Sequence, residues 1–321
     1  MIWVLGELRG SSIAPSTFEA LYAGRILSKG LKTGLNLVFV GHDIKIQPEA
    51  ILKKADKIYL LEHELLNVYT SSACGAAVER FLADKDAAAI ITPASLFGRD
   101  AAPALAVPLD MACIANVSSL DARDGIILVK RPLYGGKIIE TLSLKGRAVI
   151  SVMPRAFKAA EDMDYDGEII SVDASLGETD CPVSVKETVK EGGARDITEA
   201  DILVSGGRGM ENAENFSLLK ELADALGGQV AASRAAVDAG WAPPSIQVGQ
   251  TGRTVAPKLY VACAISGAPQ HLAGIRGAKY VIAINKDPDA PICKEADLCM
   301  TGNVFEIIPA LIKEIKAAAL R

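Results

Sequence analysis

The chain has 321 residues, 50% hydrophobic and 23% charged, which is enough apolar material for large packed cores and too much for wholesale disorder. At roughly 150 residues per domain, two domains are expected. Lys and Arg number 34 against 39 Asp and Glu, a formal net charge of −5, so the basic surplus of a nucleic-acid-binding surface is lacking.

The N-terminus meets Glu7 and Arg9 at once and shows no small-residue cleavage site, so a cytoplasmic address is expected. Trp3–Leu8, Leu35–Val40, Lys57–Leu61 and Ala87–Ile91 read as buried parallel strands. Ser16–Ser28, Pro48–Lys54 and Thr70–Leu82 between them carry helical spacing or helix starts, so a parallel sheet with helices on its faces is predicted. From Arg123 the pattern changes. Ile126–Val129, Ile138–Leu142 and Ala148–Val152, separated by Tyr134-Gly-Gly136 and Lys145-Gly146, predict an appended three-stranded antiparallel meander. A polar stretch from Asp173 to Asp196 places a boundary near residue 190. Strand–helix alternation then resumes with Ile202–Ser205, a helix over Asn215–Leu226, Tyr260–Ile265, Tyr280–Ile284 and a last helix over Val304–Ala319. The expected fold class is therefore α/β with two domains, residues 1–190 and 191–321. The uncharged stretch Leu259–Ile275 contains Gly267, Pro269, Gln270 and His271, too polar and broken to span a bilayer, so the chain is expected not to be membrane-embedded.

Several signatures fail. No Gly-x-Gly-x-x-Gly, Walker loop or Gly-x-Ser-x-Gly elbow occurs, and His63-Glu-Leu-Leu-Asn67 lacks the second histidine of a zincin helix. Asp162-Met-Asp-Tyr-Asp-Gly167 mimics a calcium loop. Its twelfth position is Asp173 rather than Glu, and Glu168–Val172 reads as a strand, so a solvated turn is expected and no metal. Six cysteines stand no closer than six residues apart, without Cys-x-x-Cys, and are expected to be reduced and mostly buried.

The second half places chemistry on short glycine-containing loops. Val204-Ser-Gly-Gly-Arg-Gly-Met210 lets the backbone approach a ligand and offers Arg208 to a phosphate. Ser233-Arg-Ala-Ala-Val-Asp-Ala-Gly240, Gln247-Val-Gly-Gln-Thr-Gly-Arg253, Ser266-Gly-Ala-Pro-Gln-His-Leu-Ala-Gly274 and Ile284-Asn-Lys-Asp-Pro288 follow. Ser266 suits an N-cap and Pro269 a first helical turn. Loops at the carboxyl ends of parallel strands converge in one crevice.

In order and spacing these five blocks closely resemble the α subunit of electron transfer flavoproteins over about residues 200–310, and the first 190 residues resemble the same family more loosely. The resemblance implies FAD held by the C-terminal parallel α/β domain, and a heterodimer with an electron transfer flavoprotein β subunit, contacted by the N-terminal domain. Carried over by position, the FAD contacts are Arg208, Ser233, Arg234, Val248, Gly249, Gln250, Thr251, Ser266, Gly267, Ala268, Pro269, Gln270, His271, Asn285, Asn303 and Val304. Arg234 is expected near the isoalloxazine ring, Thr251 about its N5 and His271 on its O2 side, where a cation or donor stabilises reduced flavin. The family has Asp-Leu or similar at Asn303-Val304. The implied role is an electron shuttle, not an enzyme, taking electrons from dehydrogenases such as acyl-CoA dehydrogenases, as in fatty acid oxidation, to a quinone reductase. Two alternatives stand beside it: an electron-bifurcating subunit using NADH and two FAD, which Trp241 and Thr254 resemble, and a non-redox nucleotide-binding regulatory module.

Overall fold

In the computed structural model, which describes residues 1–162, 165–189 and 196–319, the chain divides into two units, Met1–Thr188 and Val189–Arg321. The expected boundary at residue 190 lies outside the described residues, as does Asp164 of the calcium-like turn.

The first unit begins with β1 (Ile2–Leu5), a small hairpin of β2 (Leu8–Arg9) and β3 (Ser12–Ile13), and α1 (Pro15–Gly30). Then come β4 (Leu35–Gly41), β5 (Lys57–Glu62), α2 (Ser71–Leu82), β6 (Ala89–Pro93), α3 (Leu96–Ala106) and β7 (Ala112–Val117). An antiparallel set, β8 (Ser119–Arg123), β9 (Ile126–Leu133) and β10 (Ile138–Leu144), precedes β11 (Ala148–Val152) and β12 (Glu168–Asp173). Seven strands form one parallel sheet in the order β12-β5-β4-β1-β6-β11-β7. Its inner strands β4, β1, β6 and β11 are buried on both faces, which is why they read as continuous apolar runs. Ile2 and Val4 pack with Leu21 and Leu27 of α1, while Trp3 and Leu5 pack on the α2–α3 side with Ala77 and Leu105.

Two sequence expectations are corrected here. Ala148–Val152 is not a meander strand: β11 runs parallel between β6 and β7, and β8 supplies the meander's third strand. All five β11 residues are buried, a pattern for the middle of a covered sheet rather than for a half-exposed meander. Pro48–Lys54 makes only a single 3₁₀ turn, Pro48–Ala50, before the chain turns into β5. Glu168–Asp173 is the strand expected beside the calcium-like turn, pairing with β5.

The second unit contains β13 (Ile202–Gly206), α4 (Phe216–Leu226), β14 (Gln229–Ser233), α5 (Arg234–Asp238), β15 (Gln247–Val248) and β16 (Leu259–Cys263). It closes with α6 (Pro269–Ile275), β17 (Val281–Asn285), α7 (Pro291–Glu295), β18 (Leu298–Thr301) and α8 (Val304–Ala319). The six strands are all parallel, in the order β15-β14-β13-β16-β17-β18. One face packs Val204, Val261 and Ile284 against Leu219 and Leu222 of α4 and Ile308 and Ile312 of α8. The other buries Leu203, Tyr260 and Ala283 under Ile275 of α6 and Ile292 of α7.

Candidate functional site

The strand order of the second unit reverses direction between β13 and β16. From β13 the chain winds outward to β14 and β15, then returns to β16 and winds the other way. Adjacent loops leaving β13 and β16 diverge at such a point and open a crevice at the carboxyl ends of the strands, where doubly wound folds bind dinucleotides. A cleft of about 1010 Å³ lies there, at the upper end of the range usual for small-molecule sites.

Of the residues expected to contact FAD, the structure brings to this cleft Arg208, Ser233, Arg234, Val248, Gly249, Gln250, Thr251, Ser266, Ala268, Gln270, His271, Asn285, Asn303 and Val304. Gly267 and Pro269 do not line it. Gly267 has φ +85°, and a Cβ there would meet the Ile292 backbone nitrogen at 2.4 Å, so this glycine lets the loop after β16 pass against α7. Pro269 opens α6 as its first residue, as expected. Ser266 is not the cap: Ala268 holds that place without a side-chain bond, and Ser266 instead accepts the Ile292 N–H at its carbonyl. Gly207 explains the glycine-rich start of the cleft, since a Cβ there would fall 2.1 Å from the Ala264 carbonyl oxygen.

The polar side chains divide into those already satisfied and those with capacity left. The Ser233 hydroxyl is buried and has no hydrogen-bond partner among the described residues. A buried hydroxyl left unmade costs about 1–3 kcal/mol, so its position on the cleft wall suits a polar ligand. Gln247 Nε2 donates to Thr251 Oγ1 at 3.1 Å. That bond uses one lone pair of the oxygen and leaves the Thr251 O–H available as a donor. Asn285 is largely used by the protein: Nδ2 donates to the Ile265 carbonyl at 2.7 Å and Oδ1 accepts the Asp287 N–H at 3.0 Å. Its amide therefore pins the loops after β16 and β17 to each other. Asn303 Oδ1 accepts the Phe305 N–H at 3.0 Å, which makes Asn303 the cap of α8. Arg234 is exposed at the cleft and pairs with Asp238 at 3.3 Å.

His271 departs most from expectation. Its Nδ1 lies 3.1 Å from the Val248 carbonyl oxygen and its Nε2 2.9 Å from the Tyr260 hydroxyl. Burial pushes its pKa down to about 4, only partly opposed by the Val248 carbonyl, so the ring is neutral at physiological pH. It lines the cleft as a neutral imidazole with both nitrogens engaged within the chain, rather than as the expected cation or donor toward a ligand.

Sequence reasoning passed over Glu211, Asp238, Lys286, Asp287 and Phe305, which also line the cleft. Lys286 and Asp287 sit inside a block already singled out, and Asp238 lies one turn beyond Arg234. Glu211, at φ +72°, carries no sequence signal. A further correction concerns the cysteines. Cys293 and Cys299 form a disulfide between α7 and β18, whereas Cys74 and Cys263 are buried free thiols. Among the described residues no cluster of three or more His, Cys, Asp or Glu could hold a metal ion.

Fold and cleft together define a doubly wound dinucleotide-binding protein. Residues 2–176 match the electron transfer flavoprotein domain, and residues 196–276 match the electron transfer flavoprotein FAD-binding domain. The chain is 40% identical to the electron transfer flavoprotein subunit alpha of Thermoanaerobacterium thermosaccharolyticum, over 98% of this chain and 97% of the relative. It is 38% identical to the protein of the same name in Bacillus subtilis, over 98% and 96%, and 37% identical to Protein FixB of Azotobacter vinelandii, over 98% and 91%. The chain belongs to the electron transfer flavoprotein α-subunit family, and its cofactor is FAD.

Proposed function

We propose that this chain is the FAD-carrying subunit of a cytoplasmic heterodimer that shuttles electrons from dehydrogenases, such as acyl-CoA dehydrogenases, to a quinone reductase. The observation that carries the reading is the convergence of five separate sequence blocks on one cleft at the switch point of the second sheet. Bound FAD supplies the redox chemistry, and the side chains bind, orient and polarise. Ser233 offers an unpartnered hydroxyl, Thr251 a hydroxyl that accepts from Gln247 and keeps its proton to donate, and Arg234 a positive charge. Arg234 and Thr251 are assigned to the isoalloxazine end, Asn303 and Val304 to the adenosine end. Asn285 and Gly267 shape the loops that hold these groups in place.

A β subunit as partner is supported by the exposed apolar residues Leu128, Tyr134, Ile138 and Ile139 on and between β9 and β10 of the first unit. Exposed apolar side chains on this hairpin suit a protein partner. Among the described residues no helix is long and apolar enough to cross a membrane, which fits a carrier that visits a membrane quinone reductase from outside it.

The test is a visible spectrum and nucleotide assay on the complex co-expressed with its β partner. One FAD per heterodimer, reduced by a dehydrogenase and reoxidised by a quinone reductase, supports the shuttle. Two FAD and reduction by NADH would replace it with electron bifurcation. A colourless complex would leave a non-redox nucleotide-binding module.

A further inference from the structure

Tyr260, the second residue of β16, is fully buried and does not line the cleft, yet its hydroxyl reaches His271 Nε2 at 2.9 Å. The directions of the two bonds to the ring follow from chemistry. The Val248 carbonyl can only accept, so Nδ1 carries the proton and donates. In a neutral imidazole Nε2 is then the acceptor, and the Tyr260 O–H donates to it. The Tyr260 hydroxyl thus occupies the one lone pair through which the ring could take up a proton or turn toward a ligand.

We infer that Tyr260 is a positioning residue that caps Nε2 and holds His271 as the Nδ1–H imidazole, so that the histidine meets the cofactor as an uncharged, non-donating wall and the cleft's positive charge comes from Arg208, Arg234 and Lys286 instead. The inference rests on FAD as the cleft's occupant only in its last clause; the state of the ring is a property of the chain itself.

The surroundings of the ring agree. On β15 its hydrogen-bond partner is the Val248 carbonyl, and α6 carries no charged residue between Pro269 and Ile275. On β16 the titratable groups are Tyr260 and Cys263, both held protonated by burial, the thiol pushed up to about 12. The cleft's charged side chains, Arg208, Glu211, Arg234, Asp238, Lys286 and Asp287, are all exposed, and none contributes to the depression of the His271 pKa. Of the groups packed against the ring only the Val248 carbonyl favours an imidazolium, and burial outweighs it, whereas the two directed bonds together select one neutral tautomer. Tyr260 controls only one of them, which makes the inference separable from simple burial.

The experiment is ¹⁵N NMR of the histidine rings in the full chain, with His271 assigned from its missing signals in His271→Gln. The wild-type ring is expected to show the Nδ1–H pattern and to remain neutral down to about pH 5. In Tyr260→Phe, which keeps the ring and removes only the hydroxyl, the Nε2 signal is expected to move and the titration midpoint to rise by about one pH unit or more. An Nε2–H tautomer or an ordinary midpoint in the wild type overturns the inference without any variant. So does a folded Tyr260→Phe with unchanged Nε2 signal and midpoint. In the flavin-loaded complex, Tyr260→Phe is expected to raise the flavin potential on acidification from pH 7 to 5.5 more steeply than the wild type does. Parallel profiles would overturn the role toward the cofactor. A complex that binds no flavin would refute the proposed function while the ring's state in NMR is read independently.

Discussion

Replacing Arg234 by alanine is expected to lower the one-electron potential of the bound flavin, because a cation beside the ring favours the form that has gained negative charge. The structure limits the size of the effect. The guanidinium is 66% exposed and shares its charge with Asp238 at 3.3 Å. At separations of about 4–8 Å with nearly aqueous screening, a unit charge is worth about 0.5–1 kcal/mol. For a one-electron couple that corresponds to roughly 20–40 mV. Asp238→Asn removes the compensating anion and is expected to shift the potential the opposite way, by less. A spectroelectrochemical titration of the heterodimer, with FAD content verified for each variant, measures both shifts. An unchanged or raised potential in Arg234→Ala at full FAD occupancy would refute the placement of this charge. A large drop, several times the figure above, would equally refute the solvent screening inferred from its exposure.

Acid and neutral pH are expected to act oppositely on the two units. His271 remains unprotonated in the folded chain until about pH 4, whereas unfolded histidine takes up its proton near 6.5, so the second unit loses up to about 3 kcal/mol as pH falls through that window. Glu19 is the reverse case: burial raises its carboxyl from 4.5 to about 7, so stability present below 4.5 is lost as pH rises through 7, on the order of 1–2 kcal/mol after allowance for partial solvation. Trp3 and Trp241 report the two units separately, so fluorescence-detected unfolding of Trp3→Phe and Trp241→Phe chains reads both trends, and the same sign in both would contradict the assignment. Asn303→Ala is expected to cost the α8 cap about 1 kcal/mol in thermal unfolding, whereas Asn303→Asp keeps the cap and changes FAD dissociation only slightly, with no shift in potential. Alkylation of the denatured, unreduced chain should label only the four cysteines found free, and all six after reduction; six labels without reductant would refute the Cys293–Cys299 bond.

Much of this architecture is legible in the residues, for identifiable reasons. The α8 limits follow from a long amphipathic pattern behind a polar cap, and the cleft from glycine-containing loops after apolar runs. The failures are equally physical. β11 follows a hairpin, and nothing local distinguishes a strand continuing that hairpin from one returning to the main sheet. β14 is Gln-Val-Ala-Ala-Ser, small residues of weak strand preference whose place is set by packing under its neighbours. α3 contains Gly98 and Pro103, both of which argue against a helix when read alone. Arg208, Arg234 and Thr251 could be found as loop residues, but the neutral state of His271 could not. It depends on Tyr260, eleven residues upstream, and on a carbonyl from another strand.

The position of β11 also has a consequence for how the chain is made. Among the described residues, β7 pairs with no strand of the main sheet except β11, and β11 leaves the ribosome roughly 30 residues later. At about 5–20 residues per second, β7 waits about 2–6 s for its neighbour. During that interval the edge of β6 destined for β11 is open, and a bare strand edge invites pairing with the wrong chain. Within the β8–β10 set the strand pairing is antiparallel and between sequence neighbours, the kind that closes fastest. It can fold while the gap beside it is still unfilled, holding the two ends of the excursion near each other until β11 slides in and completes the sheet.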